Sequence, residues 1–207
     1  MGSKDAIHRA HHKRPMMRYD PDKHHRRSIR LKGHDYAQSG AYSLTVCTRD
    51  RASLFGHVLN GEMHLNDAGK IARRCWEDIL DHFPFVELDA FVIMPNHVHG
   101  VIVITESCRG EASVVPIHVS AVSSKSDASP LRQRPNGTQP GSLSAIVQNF
   151  KSISTRKMNA ARATPGTPIW QRNYHEHVVR NDEELEAIRQ YILNNPANWV
   201  TDENYRV

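Results

Sequence analysis

Phe91–Ile104 reads FVIMPNHVHGVIVI. Two apolar runs, Val86–Met94 and Val98–Ile104, are separated by Pro95-Asn96, and proline followed by asparagine between such runs marks a tight connection. The stretch therefore predicts two neighbouring strands. Side chains on a strand alternate between faces, so His97 and His99, two apart, leave the same face. Two imidazoles on one face can share one metal ion. Against apolar neighbours they cost free energy unless a ligand or hydrogen-bond partner satisfies them. A pair of strand histidines can equally cap the edge of a sheet, and the spacing leaves both readings open.

Working outward, Ala41–Cys47 (AYSLTVC) alternates as a strand, and Leu54–Leu59 is expected to pair with it. Asn66 stands where an N-cap belongs, ahead of a helical stripe at Ala68, Ile71, Ala72, Cys75, Trp76 and Ile79 that ends before Pro84. A second stripe runs through Leu143, Ile146, Val147, Phe150 and Ile153, with Lys151, Arg156 and Lys157 on polar positions, and stops at Pro165 and Pro168. Ile169–Arg180 reads as an extended crossing segment. Asn181 with Glu184 has the capping-box pattern and opens a last helix to about Asn195, stopped by Pro196. The order predicts an α+β fold, helices packed on an antiparallel sheet. Residues 106–141, rich in Ser, Pro, Gly and Gln without periodicity, are expected to be a flexible insertion loop.

The last helix carries the third chemical element. Tyr191 and Asn195 are four apart and share a face, beside an apolar stripe at Ile188 and Ile192. A phenol and a carboxamide so placed are either a capped core tyrosine or a nucleophile with a metal ligand one turn on. A second H-x-H, His175-Glu176-His177, lies in a polar segment where histidines can face water.

Charge is unevenly placed. Residues 1–32 hold ten Lys and Arg against three Asp, a net of +7, which leaves −2 on the rest of a chain whose total is +5. A basic arm on a near-neutral body is expected to meet a polyanion or to stand as a solvated tail. Three widely spaced cysteines, Cys47, Cys75 and Cys108, suggest neither a disulfide framework nor a zinc knuckle. No apolar run reaches membrane-spanning length and the N-terminus lacks a signal's apolar core, so no membrane partner and a cytoplasmic location are expected.

MPNHVHG followed by an apolar strand, WQRNYHEHVVRNDEEL, the ending YILNNPANW, RRSIRLKGHDYAQSGAYSLTVCTRDR and SLSAIVQNFKSISTRKMN together resemble the REP-associated tyrosine transposases. These belong to the single-strand transposases with an HUH motif, two histidines flanking one hydrophobic residue. The likeness spans roughly residues 26–200 outside the loop. It implies a ferredoxin-like or RRM-like antiparallel sheet with helices on one face, and one catalytic domain at 26–200. An arm at 1–25 and a tail at 201–207 flank that domain.

Residue by residue, the resemblance makes His97 and His99 catalytic metal ligands, Tyr191 the catalytic tyrosine and Asn195 a further ligand, while His177 and Trp170 are structural. It implies a divalent cofactor, Mg²⁺ or Mn²⁺, and single-stranded DNA with hairpin repeats as partner, bound by a monomer or homodimer. Candidate DNA contacts are Arg26, Arg27, Arg30, Lys32, Lys151 and Arg156. The expected reaction is cleavage and rejoining of a single strand through a 5′-phosphotyrosine. The alternatives are a replication-initiator-type nickase using the same motif, and a non-catalytic hairpin binder with an RRM-like sheet.

Overall fold

The computed structural model describes residues 33–105 and 138–205. Arg26, Arg27, Arg30, Lys32 and most of the expected insertion lie outside them. Among the described residues six strands are formed: β1 (Gly40–Cys47), β2 (Gly56–Leu59), β3 (Glu62–Leu65), β4 (Val86–Ile93), β5 (His97–Ile104) and β6 (His175–Val178). The helices are α1 (Asp67–Glu77), α2 (Ile79–His82), α3 (Leu143–Ala161) and α4 (Asp182–Asn194). Four strands make one sheet in the order β4-β5-β1-β6, with every neighbouring pair antiparallel. With α1 between β1 and β4 and α3 between β5 and β6, this is the β-α-β-β-α-β ferredoxin-like arrangement.

One expected pairing is not made. The segment at Leu54–Leu59 contributes β2, which pairs with β3 rather than β1 (Gly56↔Leu65, Leu59↔Glu62). Both edges of β1 are occupied by β5 and β6, which leaves it no free row of hydrogen bonds. The turn between β2 and β3 is Asn60-Gly61, both at positive φ (53° and 78°), the conformation that lets a two-residue turn follow the twist of its strands.

The caps place the helices. Asn66 Oδ1 accepts from Gly69 N at 3.0 Å and opens α1. The helix ends at Glu77, and Ile79, the last residue of the stripe, stays buried at the start of α2. Asn181 Oδ1 accepts from Glu184 N at 2.8 Å. Glu184 turns back to accept from Arg180 N at 2.8 Å, one residue earlier than in the usual capping box. Ser142 caps α3 by accepting from Ala145 N.

Alternation along β1 and β5 divides the chemistry between two faces. Tyr42, Leu44, Val46, Val98 and Ile102 are buried with Trp76, Ile146 and Phe150 from α1 and α3. Each large side chain fully withdrawn from water there contributes about 1.5–3 kcal/mol. Gly100 lets that layer close: a Cβ on it would lie 2.4 Å from the Trp76 ring. The opposite face carries Thr45, Cys47, His97 and His99, with Thr45 opposite His99 and Cys47 opposite His97. Across it runs α4, against β4 and β5. The expectation of helices on one face thus holds for α1 and α3, while α4 takes the other.

Candidate metal and nucleophile site

His97 begins β5 directly after the Pro95-Asn96 turn, where Met94 N donates to His97 O at 2.8 Å. Its ring lies 4.4 Å from that of His99 between centroids, so the shared face inferred from spacing does bring the two together. Both are buried, His97 completely. His99 Nδ1 is 2.9 Å from Thr45 Oγ1, its cross-strand neighbour. His97 Nδ1 is 2.8 Å from Asn96 Oδ1. His97 Nε2 is buried without a hydrogen-bond partner.

α4 delivers the other two expected residues. Tyr191 is half exposed, its ring edge-on to His99 at 5.3 Å. The hydroxyl donates to Asp202 Oδ2 at 3.1 Å and lies 3.5 Å from His99 Nε2. Asn195, one turn on, donates from Nδ2 to Asp202 Oδ2 at 2.8 Å. Its amide sits beside His97, though Asn195 Oδ1 is itself buried without a partner.

Asp202 is the residue the sequence did not reveal, since it falls in the expected tail at 201–207. After α4 the chain reverses through a single 3₁₀ turn, Trp199–Thr201, and returns Asp202 to the histidines. Trp199 packs against His97 and Tyr205 against Trp199. Donor atoms of His97, His99 and Asp202 all lie within 4.8 Å of one another, so the three could hold a metal ion. Two aromatic residues in so short an ending are the available sign that it packs.

Electrostatics fit a cation. Burial, then the neighbouring His99, hold His97 well below the usual histidine range, against the pull of Asp202. Burial lowers His99 to about 4, opposed by Asp202 and by a hydrogen bond to the Leu44 backbone. Both rings are therefore neutral near pH 7, as ligands must be. Asp202 stays below the usual carboxylate range: burial opposes its charge, but hydrogen bonds from Asn195 and Asn204 N outweigh that. Burial, then the Asp202 charge, push Tyr191 up to about 12. The orphaned His97 Nε2 and Asn195 Oδ1, aimed into a cluster of nitrogen and oxygen donors, fit a divalent ion.

Other expected contacts lie elsewhere. Lys151 is on α3, across the sheet, where its ammonium donates to the carbonyls of Gln171 and Arg172 and ties the crossing segment to the helix. Arg156 is exposed on the same helix. Of the second histidine pair, His175 is exposed and His177 Nε2 meets Glu184 Oε1 at 2.7 Å. Cys47 and Cys75 are free thiols. Among the described residues no helix is long and apolar enough to cross a membrane.

No protein-family model matches the chain. An uncharacterized protein of Haemophilus influenzae is 39% identical over 188 residues, 91% of this chain and 97% of that one. A second H. influenzae protein, provisionally named a REP-associated tyrosine transposase, is 24% identical over 79% of this chain and 73% of its own. The solved structure of a REP-associated tyrosine transposase bound to a REP hairpin matches with a TM-score of 0.51 at 19% identity, covering 83% of this chain and 74% of that chain. That last likeness is one of fold.

The α+β sheet, with two histidines and a helical tyrosine on one face, shares its fold with a solved transposase. The chain is related over nearly its whole length to the 39% identical Haemophilus protein, and it is similar, more distantly in sequence and in fold, to REP-associated tyrosine transposases. These similarities support a transposase-like, DNA-processing function.

Proposed function

We propose that the chain cleaves and rejoins single-stranded DNA beside hairpin repeats, with Tyr191 as the nucleophile. The observation that carries this reading is the convergence on one sheet face of two buried neutral imidazoles, a carboxylate and a phenol that reaches both kinds of group. His97, His99 and Asp202, with Asn195 Oδ1 beside them, would hold Mg²⁺ or Mn²⁺, the imidazoles favouring Mn²⁺. Such an ion, when bound, supplies polarisation of the scissile phosphate and offsets charge on its oxygens.

The chain's own residues do the rest. Tyr191 Oη forms a bond to phosphorus as the bond from phosphorus to the 3′ oxygen breaks, which leaves a 5′-phosphotyrosine and a free 3′-hydroxyl. A phenol raised to about 12 is a poor nucleophile unaided. Asp202 Oδ2 already accepts its hydrogen bond and is placed to take the proton during attack. The departing 3′ oxygen takes its proton from solvent. Because the phosphotyrosine keeps the energy of the broken diester, a 3′-hydroxyl from another end can reverse the step without an external source. Arg26, Arg27, Arg30 and Lys32 would hold phosphates by charge alone. The structural relative was solved on a REP hairpin, which supports hairpin DNA as substrate class.

The test is incubation of the full chain with labelled single-stranded genomic repeats and Mn²⁺. A denaturant-resistant protein–DNA adduct, absent when the metal is chelated, is the expected result. Hairpin binding without cleavage under any divalent ion would make the chain a binder instead, and cleavage without an adduct would remove Tyr191 from the mechanism.

A further inference from the structure

Asn96 is wholly buried between the histidine site and two distant parts of the chain. Its Nδ2 donates to the main-chain carbonyls of Arg51, at 3.1 Å, and Asn204, at 2.8 Å. Carbonyl oxygens only accept, so the amide has one possible orientation: flipped, its own oxygen would face two others. Oδ1 is thereby turned to His97 Nδ1, 2.8 Å away. That oxygen too can only accept, so the hydrogen of the neutral ring must sit on Nδ1. The lone pair then falls on Nε2, the atom left buried without a partner.

We infer that Asn96 is a positioning residue that fixes the tautomer of His97, holding the proton on Nδ1 so that Nε2 is presented to a cation. Free neutral histidine in water prefers the opposite form, with its proton on Nε2, which would point an N–H bond into the site and block ligation. The frame around Asn96 is built to keep the amide from turning. Asp50 and Arg51 adopt left-handed backbone (φ 56° and 53°), unfavourable for residues with a Cβ, and this loop presents the Arg51 carbonyl. Thr48 donates to the Asn96 carbonyl from both N, at 2.9 Å, and Oγ1, at 3.0 Å. The Arg51 guanidinium in turn donates to Asn204 Oδ1 at 2.6 Å, which fixes the second carbonyl.

This role matters to function only if His97 ligates a metal, as proposed above, so the test has one arm that needs no metal. In the full chain with ¹⁵N-labelled histidine, metal-free, two-bond ¹H–¹⁵N spectra should show His97 as the Nδ1–H tautomer, its signals assigned by their loss in His97→Ala. Asn96→Leu, which removes the acceptor, should shift His97 toward Nε2–H and weaken Mn²⁺ binding about 10–100-fold. Asn96→Asp keeps an acceptor while losing both donor contacts. It should keep the Nδ1–H form and hold Mn²⁺ affinity within a few-fold of the parent.

A parent protein with its proton on Nε2 would overturn the inference. So would an Asn96→Asp variant that folds yet loses Mn²⁺ as fully as Asn96→Leu, since Asn96 would then serve only to anchor the chain. Should Asn96→Leu not fold, the parent spectrum and Asn96→Asp still decide. A parent with the Nδ1–H form that binds no Mn²⁺ would overturn the metal reading and leave the tautomer assignment standing.

Discussion

At the scale of single residues, the hydroxyl of Tyr191 is the atom on which the proposed chemistry turns. Tyr191→Phe keeps the ring against His99 and removes the hydroxyl's contacts with Asp202 and His99 Nε2, partly solvated interactions that contribute about 1 kcal/mol. The variant should fold, bind Mn²⁺ and hairpin DNA, and form no covalent adduct. Tyr174 offers the control: its hydroxyl meets Ser144 of α3, so Tyr174→Phe should still form the adduct. A nucleotide found by mass spectrometry on a Tyr174 peptide would reverse the assignment. The two H-x-H pairs separate in the same way. His97→Ala and His99→Ala should each cut nicking by more than about 100-fold with binding retained. His175→Ala and His177→Ala should keep metal-dependent nicking, because one ring is exposed and the other is engaged by Glu184.

The histidines and Tyr191 could be read from the sequence because their relation is local, two apart on a strand and four apart on a helix. Asp202 could not, because it meets Asn195 only after the chain turns back past Pro196 and Trp199. Asn96 lies inside the most informative stretch, yet its partners are 45 residues before it and 108 after it, a relation no periodicity encodes.

At the scale of elements, α4 must lie across the sheet at a fixed height for Tyr191 to reach His99. A bulge in β4, between Leu88 and Phe91, is the local irregularity beside it. There Asp89 receives two hydrogen bonds from Arg189 of α4, at 2.8 and 2.6 Å, two residues before Tyr191. The Arg189 hydrogen bond, helped by Ala90 N, holds the Asp89 carboxyl below its ordinary range despite some burial. A carboxylate depressed in the folded state adds stability above its unfolded pKa of about 3.9, and that stability is lost as pH falls through the folded value. Asp89→Asn should therefore lower stability by about 1 kcal/mol near neutrality, in keeping with a paired charge near the surface. Thermal melts of parent and variant should converge as pH drops below about 4. A gap that stays constant with pH would mean that the pair does not hold α4 by charge.

The elements are legible in the sequence where capping and periodicity agree, as at Asn66 and Asn181. The partner of β2 is not, because an apolar run does not name its neighbour. The Asn60-Gly61 pair is the turn signal that points to β3 instead. The bulge between Leu88 and Phe91 breaks the β4–β5 register, an offset that alternation along β4 alone does not mark.

At the scale of the whole molecule, cation density and chemistry are held in different parts of the chain. Residues 1–32 carry a net +7 and the remainder −2, and the first turn of α4 alone contributes Asp182, Glu183 and Glu184. A body of that charge gains little from DNA electrostatically, so affinity should come chiefly from the arm and cleavage position from the folded domain. Lys and Arg bind phosphate by releasing counterions, a contribution that depends on salt and scarcely on sequence. Removal of residues 1–25 takes away Lys4, Arg9, Lys13, Arg14, Arg18 and Lys23 while sparing Arg26, Arg27, Arg30 and Lys32. Binding to a labelled hairpin, followed by anisotropy between about 50 and about 200 mM salt, should weaken on removal of the arm. Its salt slope should fall by about 0.7 for each single-strand phosphate that the arm no longer neutralises. The position of the nick on a sequencing gel should not move. A slope unchanged by the truncation would show that the arm touches no DNA, and a displaced nick would show that it takes part in choosing the site.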